Sequence, residues 1–151
     1  MLRVQINREA SVPFDFSLSA EKFCGENFLD NGKFVGEIKI SGEVVNDGSS
    51  YVARGKIFCC KEFTCDRCLS AAAENQSHDF EEELDAADID EDFVDITALV
   101  RDTLITSQPM KNLCKIDCKG LCPSCGKNLN DGDCDCDNFI VDPRLAPLLD
   151  F

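Results

Sequence analysis

Phe34-Val-Gly-Glu-Ile-Lys-Ile-Ser-Gly-Glu-Val-Val45, followed by Asn46-Asp-Gly48 and then Tyr51-Val-Ala-Arg-Gly-Lys-Ile-Phe58, is the stretch on which the fold turns. Apolar residues recur at every second position on both sides of an Asn-Asp-Gly turn signal, the pattern of two antiparallel strands with one dry and one wet face. The spacing predicts a hairpin over 34–58. Upstream, Leu2–Ile6 and Val12–Leu18 alternate in the same way, and a further strand is expected near Ala71–Phe80. Residues 1–83 therefore read as an antiparallel sheet that could close in barrel-like fashion.

Downstream of the sheet the period changes. Ile96, Leu99, Val100, Thr103 and Leu104 fall at helical spacing, Asp95 can cap their N-terminus, and Pro109 limits the far end. This predicts a helix over about 95–107 whose stripe packs on the sheet. At the C-terminal end, Asp142-Pro-Arg-Leu-Ala-Pro-Leu-Leu-Asp-Phe151 supplies a cap, a proline at the first helical position and an apolar face, so a short terminal helix is expected. The class is α+β, with a core domain over 1–110 and a cysteine-rich tail over 111–151.

That tail carries the chemistry. Cys118-Lys-Gly-Leu-Cys122-Pro-Ser-Cys125-Gly-Lys-Asn-Leu-Asn-Asp-Gly-Asp-Cys134-Asp-Cys136 is far too dense in cysteine for a hydrophobic core. A Cys-x-x-Cys turn delivers two thiolates to one metal from a single tight loop, and tetrahedral zinc wants four at about 2.3 Å. Pro123 presets a turn-compatible backbone, and Gly126 can take the positive φ that reverses the chain around a metal. Cys65-Asp-Arg-Cys68 is a second such element, and Cys114 and Cys118 complete eight patterned cysteines.

Two partitions fit these spacings. The favoured one places Cys65, Cys68, Cys114 and Cys118 on one metal, tying the sheet to the tail, and Cys122, Cys125, Cys134 and Cys136 on another. The alternative draws a single site from Cys118, Cys122, Cys125, Cys134 and Cys136 and leaves Cys65 and Cys68 reduced or redox-active. All-cysteine sites in reducing compartments favour zinc, one or two ions here. Cys24, Cys59 and Cys60 lack ligand spacing and read as small buried hydrophobes.

Eleven cysteines could instead form disulfides, but the count is odd and the opening residues carry no apolar region of export-signal length, so free thiols in the cytoplasm are the expectation. No run of about 18 apolar residues suits a membrane span. The net charge of −14 argues against general binding to a nucleic-acid backbone. Each zinc tetrathiolate would add a further charge of about −2.

Between Arg67 and Arg101 there is no Lys or Arg, while Asp79, Glu81, Glu82, Glu83, Asp85, Asp88, Asp90, Glu91, Asp92 and Asp95 crowd together. A solvated loop over 79–95 is the expected form; as a functional surface it suits a basic partner or repels nonspecific RNA.

No catalytic residue emerges. His78, the sole histidine, has no nucleophile motif near it. Gly120 and Gly126 are separated by five residues rather than the four of a phosphate-binding loop, and Asn128 stands where a Ser or Thr should bind Mg²⁺.

Taken in order, Cys65-Asp-Arg-Cys68-Leu, the Asp95-Ile helix, the Cys118–Asn130 segment, Cys134-Asp-Cys136 and Asp142-Pro-Arg-Leu-Ala-Pro-Leu resemble the YceD family of large ribosomal RNA subunit accumulation proteins, across residues 34–151. The cysteine-rich form is similar to that of Gram-positive anaerobes. The resemblance implies a non-enzymatic role in synthesis, processing or stability of large-subunit ribosomal RNA. The implied partner is a large-subunit precursor or a basic ribosomal protein, engaged through the acidic segment and the tail around Lys111, Lys115, Lys119 and Lys127. Some family members with this role lack much of the tail's cysteine cluster, which implies that the second metal site is a lineage-specific staple. Two other readings remain open at this level: a thiol or zinc redox sensor, and a zinc-stapled adaptor unconnected with ribosomes.

Overall fold

The structure, a computed structural model, describes residues 1–6, 11–25, 28–46, 48, 50–84, 89–90 and 92–136. Its body is a four-stranded antiparallel sheet in the order β2-β3-β4-β5, with β2 at Ser11–Ser19, β3 at Lys33–Asn46, β4 at Tyr51–Thr64 and β5 at Ala71–Leu84. The expected hairpin is present and longer than predicted: β3 and β4 pair from Lys33↔Glu62 to Asn46↔Tyr51. The Gly48 N–H donates to Asn46 Oδ1 at 2.9 Å, an Asx turn of the kind the Asn-Asp-Gly signal encodes.

Alternation sorts the two faces. Phe14, Ile38, Ile40, Val44, Ala53, Ile57, Cys59, Phe80 and Leu84 are buried in one core. The opposite face carries charge in register: Glu43 lies beside Arg54 and Arg54 beside Glu81, while Lys56 opposes Asp79. Arg54 Nη2 meets Glu43 Oε1 at 2.6 Å and Lys56 Nζ meets Asp79 Oδ1 at 2.6 Å. Such exposed pairs contribute only about 0–1 kcal/mol each and serve mainly to fix register and keep the face wet.

One row across the sheet is unusual. Phe14, Gly42, Gly55 and Phe80 are successive cross-strand neighbours, and the two phenyl rings stack on each other over the glycines with centroids 6.4 Å apart. A Cβ on Gly55 would lie 2.9 Å from Phe80 Cζ and 2.4 Å from the Ser41 carbonyl oxygen. The glycines are there for space, so that two outer strands can close an aromatic pair over two inner ones.

The second sheet was not legible in the sequence. β1 (Arg3–Gln5) does not join the main sheet, as the reading of 1–83 as one sheet required; it pairs antiparallel with β7 (Phe93–Asp95), which pairs in turn with β6 (Ile89–Asp90). A three-residue strand carries too little pattern to specify its partner. A short helix α1 (Ala20–Cys24) also goes beyond the sequence reading, and among the described residues no barrel closure is seen. The acidic run needs a further correction: Asp79, Glu81, Glu82 and Glu83 lie in β5 rather than in a loop. They tolerate strand geometry because β5 is a sheet edge whose residues are mostly exposed past Phe80. Asp85, Asp88 and Glu91 lie outside the described residues.

Helix α2 (Thr97–Thr106) is the predicted one. Asp95 Oδ1 accepts the Thr97 N–H at 2.9 Å, and Thr97 Oγ1 accepts the Leu2 N–H at 2.7 Å, joining the helix start to the N-terminal residues. Ile96, Val100 and Leu104 are fully buried. The terminal helix expected over 142–151 lies outside the described residues. Among those described, no helix is long and apolar enough to cross a membrane.

Candidate metal centres

β4 ends at Thr64 and leads straight into Cys65, and the chain returns as β5 at Ala71. The reversal is tight: Leu69 N–H donates to the Cys65 carbonyl at 2.9 Å and Cys65 N–H to the Ser70 carbonyl at 2.9 Å. The second Cys-x-x-Cys element has the same construction. Gly126 N–H donates to the Cys122 carbonyl at 2.8 Å and Cys122 N–H to the Lys127 carbonyl at 2.8 Å. In both, the residue after the second cysteine has positive φ, +73° at Gly126 and +58° at Leu69. Gly126 meets this requirement without strain, whereas Leu69 adopts it with a Cβ and leaves its side chain 65% exposed. The two elements are thus structural equivalents, which the sequence disguises by using Leu where the other has Gly.

The sulfurs fall into two fours, Cys65, Cys68, Cys114 and Cys118, and Cys122, Cys125, Cys134 and Cys136, with all four Sγ atoms of each group within 4.8 Å of one another. Four sulfurs at about 2.3 Å from one tetrahedral ion stand about 3.8 Å apart. Cys65 Sγ and Cys118 Sγ are separated by 3.8 Å, and Cys68 Sγ and Cys114 Sγ by 3.6 Å. The donor sets therefore fit one tetrahedral thiophilic ion each, and the grouping is that of the favoured partition. None of the cysteines is in a disulfide.

The surroundings of the two clusters differ. Cys65, Cys68 and Cys118 are buried with Leu113 and Leu121 packed against them, and Cys114 lies nearer the surface. In the second cluster only Cys122 is buried, and Cys125 is exposed. Protons are unevenly shared in each group. Backbone N–H groups, led by that of Cys114, pull Cys65 down to about 6, and the N–H of Cys125 leads in pulling Cys122 down to about 6. Burial, joined by hydrogen bonds from neighbouring cysteines, pushes Cys114 up to about 12, and bonding to Cys125 leads in pushing Cys136 up to about 12. A cation entering either site must displace these protons, so metal affinity falls as pH falls.

Several residues that sequence reading missed hold the first cluster in place. Asp66 Oδ2 accepts the Asn112 N–H at 2.6 Å and Asp66 N–H donates to the Asn112 carbonyl at 2.9 Å, clamping the segment before Cys114 to the knuckle. Asn31 Nδ2 donates to Asp66 Oδ1 at 2.7 Å and to the Thr64 carbonyl at 2.9 Å. Lys61, 2% exposed at the end of the sheet's inner row, donates to Gln108 Oε1 at 2.9 Å and Asn112 Oδ1 at 2.7 Å. Burial is the main cause that holds its ammonium below the ordinary lysine range. Arg67 Nη1 donates to the Cys118 carbonyl at 3.0 Å, and Gly120 passes so near that a Cβ would stand 3.1 Å from the Arg67 carbonyl oxygen. These are lone polar residues without a motif, so no spacing in the sequence marks them.

The remaining predicted residues fall elsewhere. Burial pushes Cys24 up to about 11 and Cys59 up to about 12, as suits inert core thiols. His78 sits on β5 near Gln76, its Nε2 3.2 Å from Gln76 Oε1, apart from both clusters.

An antiparallel sheet that hands its third turn to a four-cysteine cluster, completed by a tail with a second such cluster, defines a small β-rich protein with two tetracysteine centres. The chain belongs to the YceD family: the family described as "Large ribosomal RNA subunit accumulation protein YceD" matches residues 62–151, from the end of β4 through both clusters. The similarity noted from residue 34 onward thus extends further upstream than the family match. The Arabidopsis thaliana protein named "Large ribosomal RNA subunit accumulation protein YCED homolog 1, chloroplastic" is 36% identical over 55 residues, which cover 36% of this chain and 17% of that relative. The chain therefore spans about a sixth of the length of the curated relative it matches. No solved structure matches it.

Proposed function

We propose that this chain is a non-enzymatic ribosome-biogenesis factor of the cysteine-rich branch of its family, supporting synthesis, processing or stability of large-subunit ribosomal RNA, with two structural zinc ions. Zinc, when bound, supplies no reaction; it fixes the tail to the sheet. The family match carries this reading, because it spans both cysteine clusters and the acidic strand together.

The distribution of charge gives the reading a geometry. From 107 to 127 the chain has four lysines and one acid, against the acidic stretch of β5. Lys111 and Lys115 are exposed, and Met110 and Ile116 beside them project fully into solvent, at 102% and 96% exposure. Lys119 and Lys127 are tied to Asp133 and so contribute less. In this reading the Met110–Ile116 edge faces precursor RNA through local phosphate contacts, and Asp79–Glu83 faces a basic ribosomal protein or keeps other RNA away.

Gradient sedimentation of lysates with ultraviolet cross-linking provides the test. The chain is expected in large-subunit precursor fractions, and the double variant Lys111→Glu, Lys115→Glu is expected to lower its cross-linking at least fivefold with zinc content unchanged. Sedimentation only with free protein, or no dependence on the two lysines, would contradict the placement.

A further inference from the structure

Only Lys119, Gly120 and Leu121 separate the last sulfur of the first cluster, Cys118, from the first sulfur of the second, Cys122. Across that link the second knuckle reaches back. Asn130, which lies between Cys125 and Cys134, places Nδ2 3.3 Å from Cys118 Sγ, a donor aimed at a sulfur of the other cluster.

The position of that carboxamide is set by the second knuckle's own hairpin. Leu121 and Asn128 form an antiparallel bridge, Leu129 N–H donates to the Gly120 carbonyl at 2.9 Å, and Lys119 N–H donates to Asn130 Oδ1 at 3.0 Å. Asn128 Oδ1 accepts both the Asn130 N–H at 3.0 Å and its Nδ2–H at 2.8 Å. Every one of these bonds lies within 118–130, and the turn that they define is closed at its two ends by Cys122 and Cys125 on one side and Cys134 and Cys136 on the other.

A metal-bound thiolate keeps negative charge on sulfur, and an N–H donor held against it raises metal affinity; removing such an outer contact typically costs about 10–100-fold. The donor is effective only when its own segment is ordered. We propose that the two tetracysteine sites are thermodynamically coupled through Asn130, so that metal in the second site orders the 128–130 turn and thereby tightens the first. Coupling of this kind is reciprocal, so an occupied first site favours loading of the second by the same factor. The exposed second site then sets how firmly the tail is held to the sheet. The inference rests on the reading that both clusters take metal.

The test uses the full zinc-loaded chain, a competing chelator at graded concentration, and alkylation of released thiols mapped peptide by peptide, which reports each site separately. Asn130→Ala leaves all eight sulfurs in place. It is expected to keep two zinc ions per chain, yet to expose Cys65, Cys68, Cys114 and Cys118 at about 10–100-fold lower free-chelator strength. Cys134→Ser with Cys136→Ser, which empties the second site, is expected to weaken the first to a similar degree, and adding Asn130→Ala to that background should change little. Unaltered first-site protection in Asn130→Ala would overturn the coupling, as would an Asn130→Ala effect of full size in the emptied background, since Asn130 would then act without the second metal. A wild-type stoichiometry of one zinc would instead defeat the two-site reading itself, and the coupling with it.

Discussion

Cys65→Ser is expected to leave the chain with one zinc instead of two and to free the segment after Pro109 from the sheet. The Cys65–Cys68 pair joins sulfurs 46 to 53 positions away, Cys68 to Cys114 and Cys65 to Cys118, so the four span the β4–β5 turn and the tail. A structural zinc contributes on the order of 10–16 kcal/mol of apparent binding free energy in small metal-folded units, and that energy is realised only when the segments it joins are together. The polar clamp that would remain, Asp66 with Asn112 and Lys61 with Gln108 and Asn112, consists of contacts worth roughly 1 kcal/mol each, or somewhat more where a charge takes part. It cannot substitute for the ion. Native mass measurement should read one zinc, and limited trypsin digestion should cut first at Lys111 and Lys115 while the β2–β5 sheet persists. Cys122→Ser or Cys125→Ser should loosen the second knuckle and, through Asn130, weaken the first site as well, with the β2–β5 sheet kept. Two zinc ions and wild-type protease resistance in Cys65→Ser would contradict the ligand assignment.

Gly55→Val tests the sheet rather than the metal. The new side chain must enter a space where a Cβ alone would meet the Ser41 carbonyl at 2.4 Å, the Gly42 Cα at 2.9 Å and the Phe80 ring at 2.9 Å. Overpacking of this kind typically costs about 1–3 kcal/mol or more, and the Phe14–Phe80 stack that it displaces is worth about 0.5–1.5 kcal/mol beyond burial. For a chain of this size a loss near 3 kcal/mol lowers Tm by about 6–12 °C. Gly36→Ala is the contrast: nothing lies within 4 Å of its Cβ, and only its φ of +72° is strained, at a cost of about 1–2 kcal/mol. Equal Tm values for Gly55→Val and the wild type would mean that the glycine row is not close-packed.

The hairpin and α2 were legible because each repeats one period over many residues, and burial of one face leaves a single consistent register. The four-by-four grouping of cysteines was legible as the favoured of two partitions, because Cys-x-x-Cys pairs must act together and the remaining sulfurs are few. What no spacing rule carries is the contact that brings the first four sulfurs together: Asp66 and Asn112 draw Cys114 to the Cys65 turn. The β1–β7 pairing was hidden because three residues have no period. The strand character of Asp79–Glu83 was hidden because charge there follows from an open sheet edge, not from a loop. Asn130 gave no signal beyond its place in an Asn-rich turn, since its contact with Cys118 depends on how two similar knuckles abut.

The most direct test of the central claim is the ratio of large- to small-subunit ribosomal RNA, read together with a gradient profile of particles, in cells depleted of this protein and re-supplied with wild type or with Cys65→Ser. The account predicts a selective fall in large-subunit RNA on depletion, restored by the wild type and not by the variant. An unchanged ratio on depletion would contradict it and leave the two tetracysteine centres as the staples of a protein with another partner.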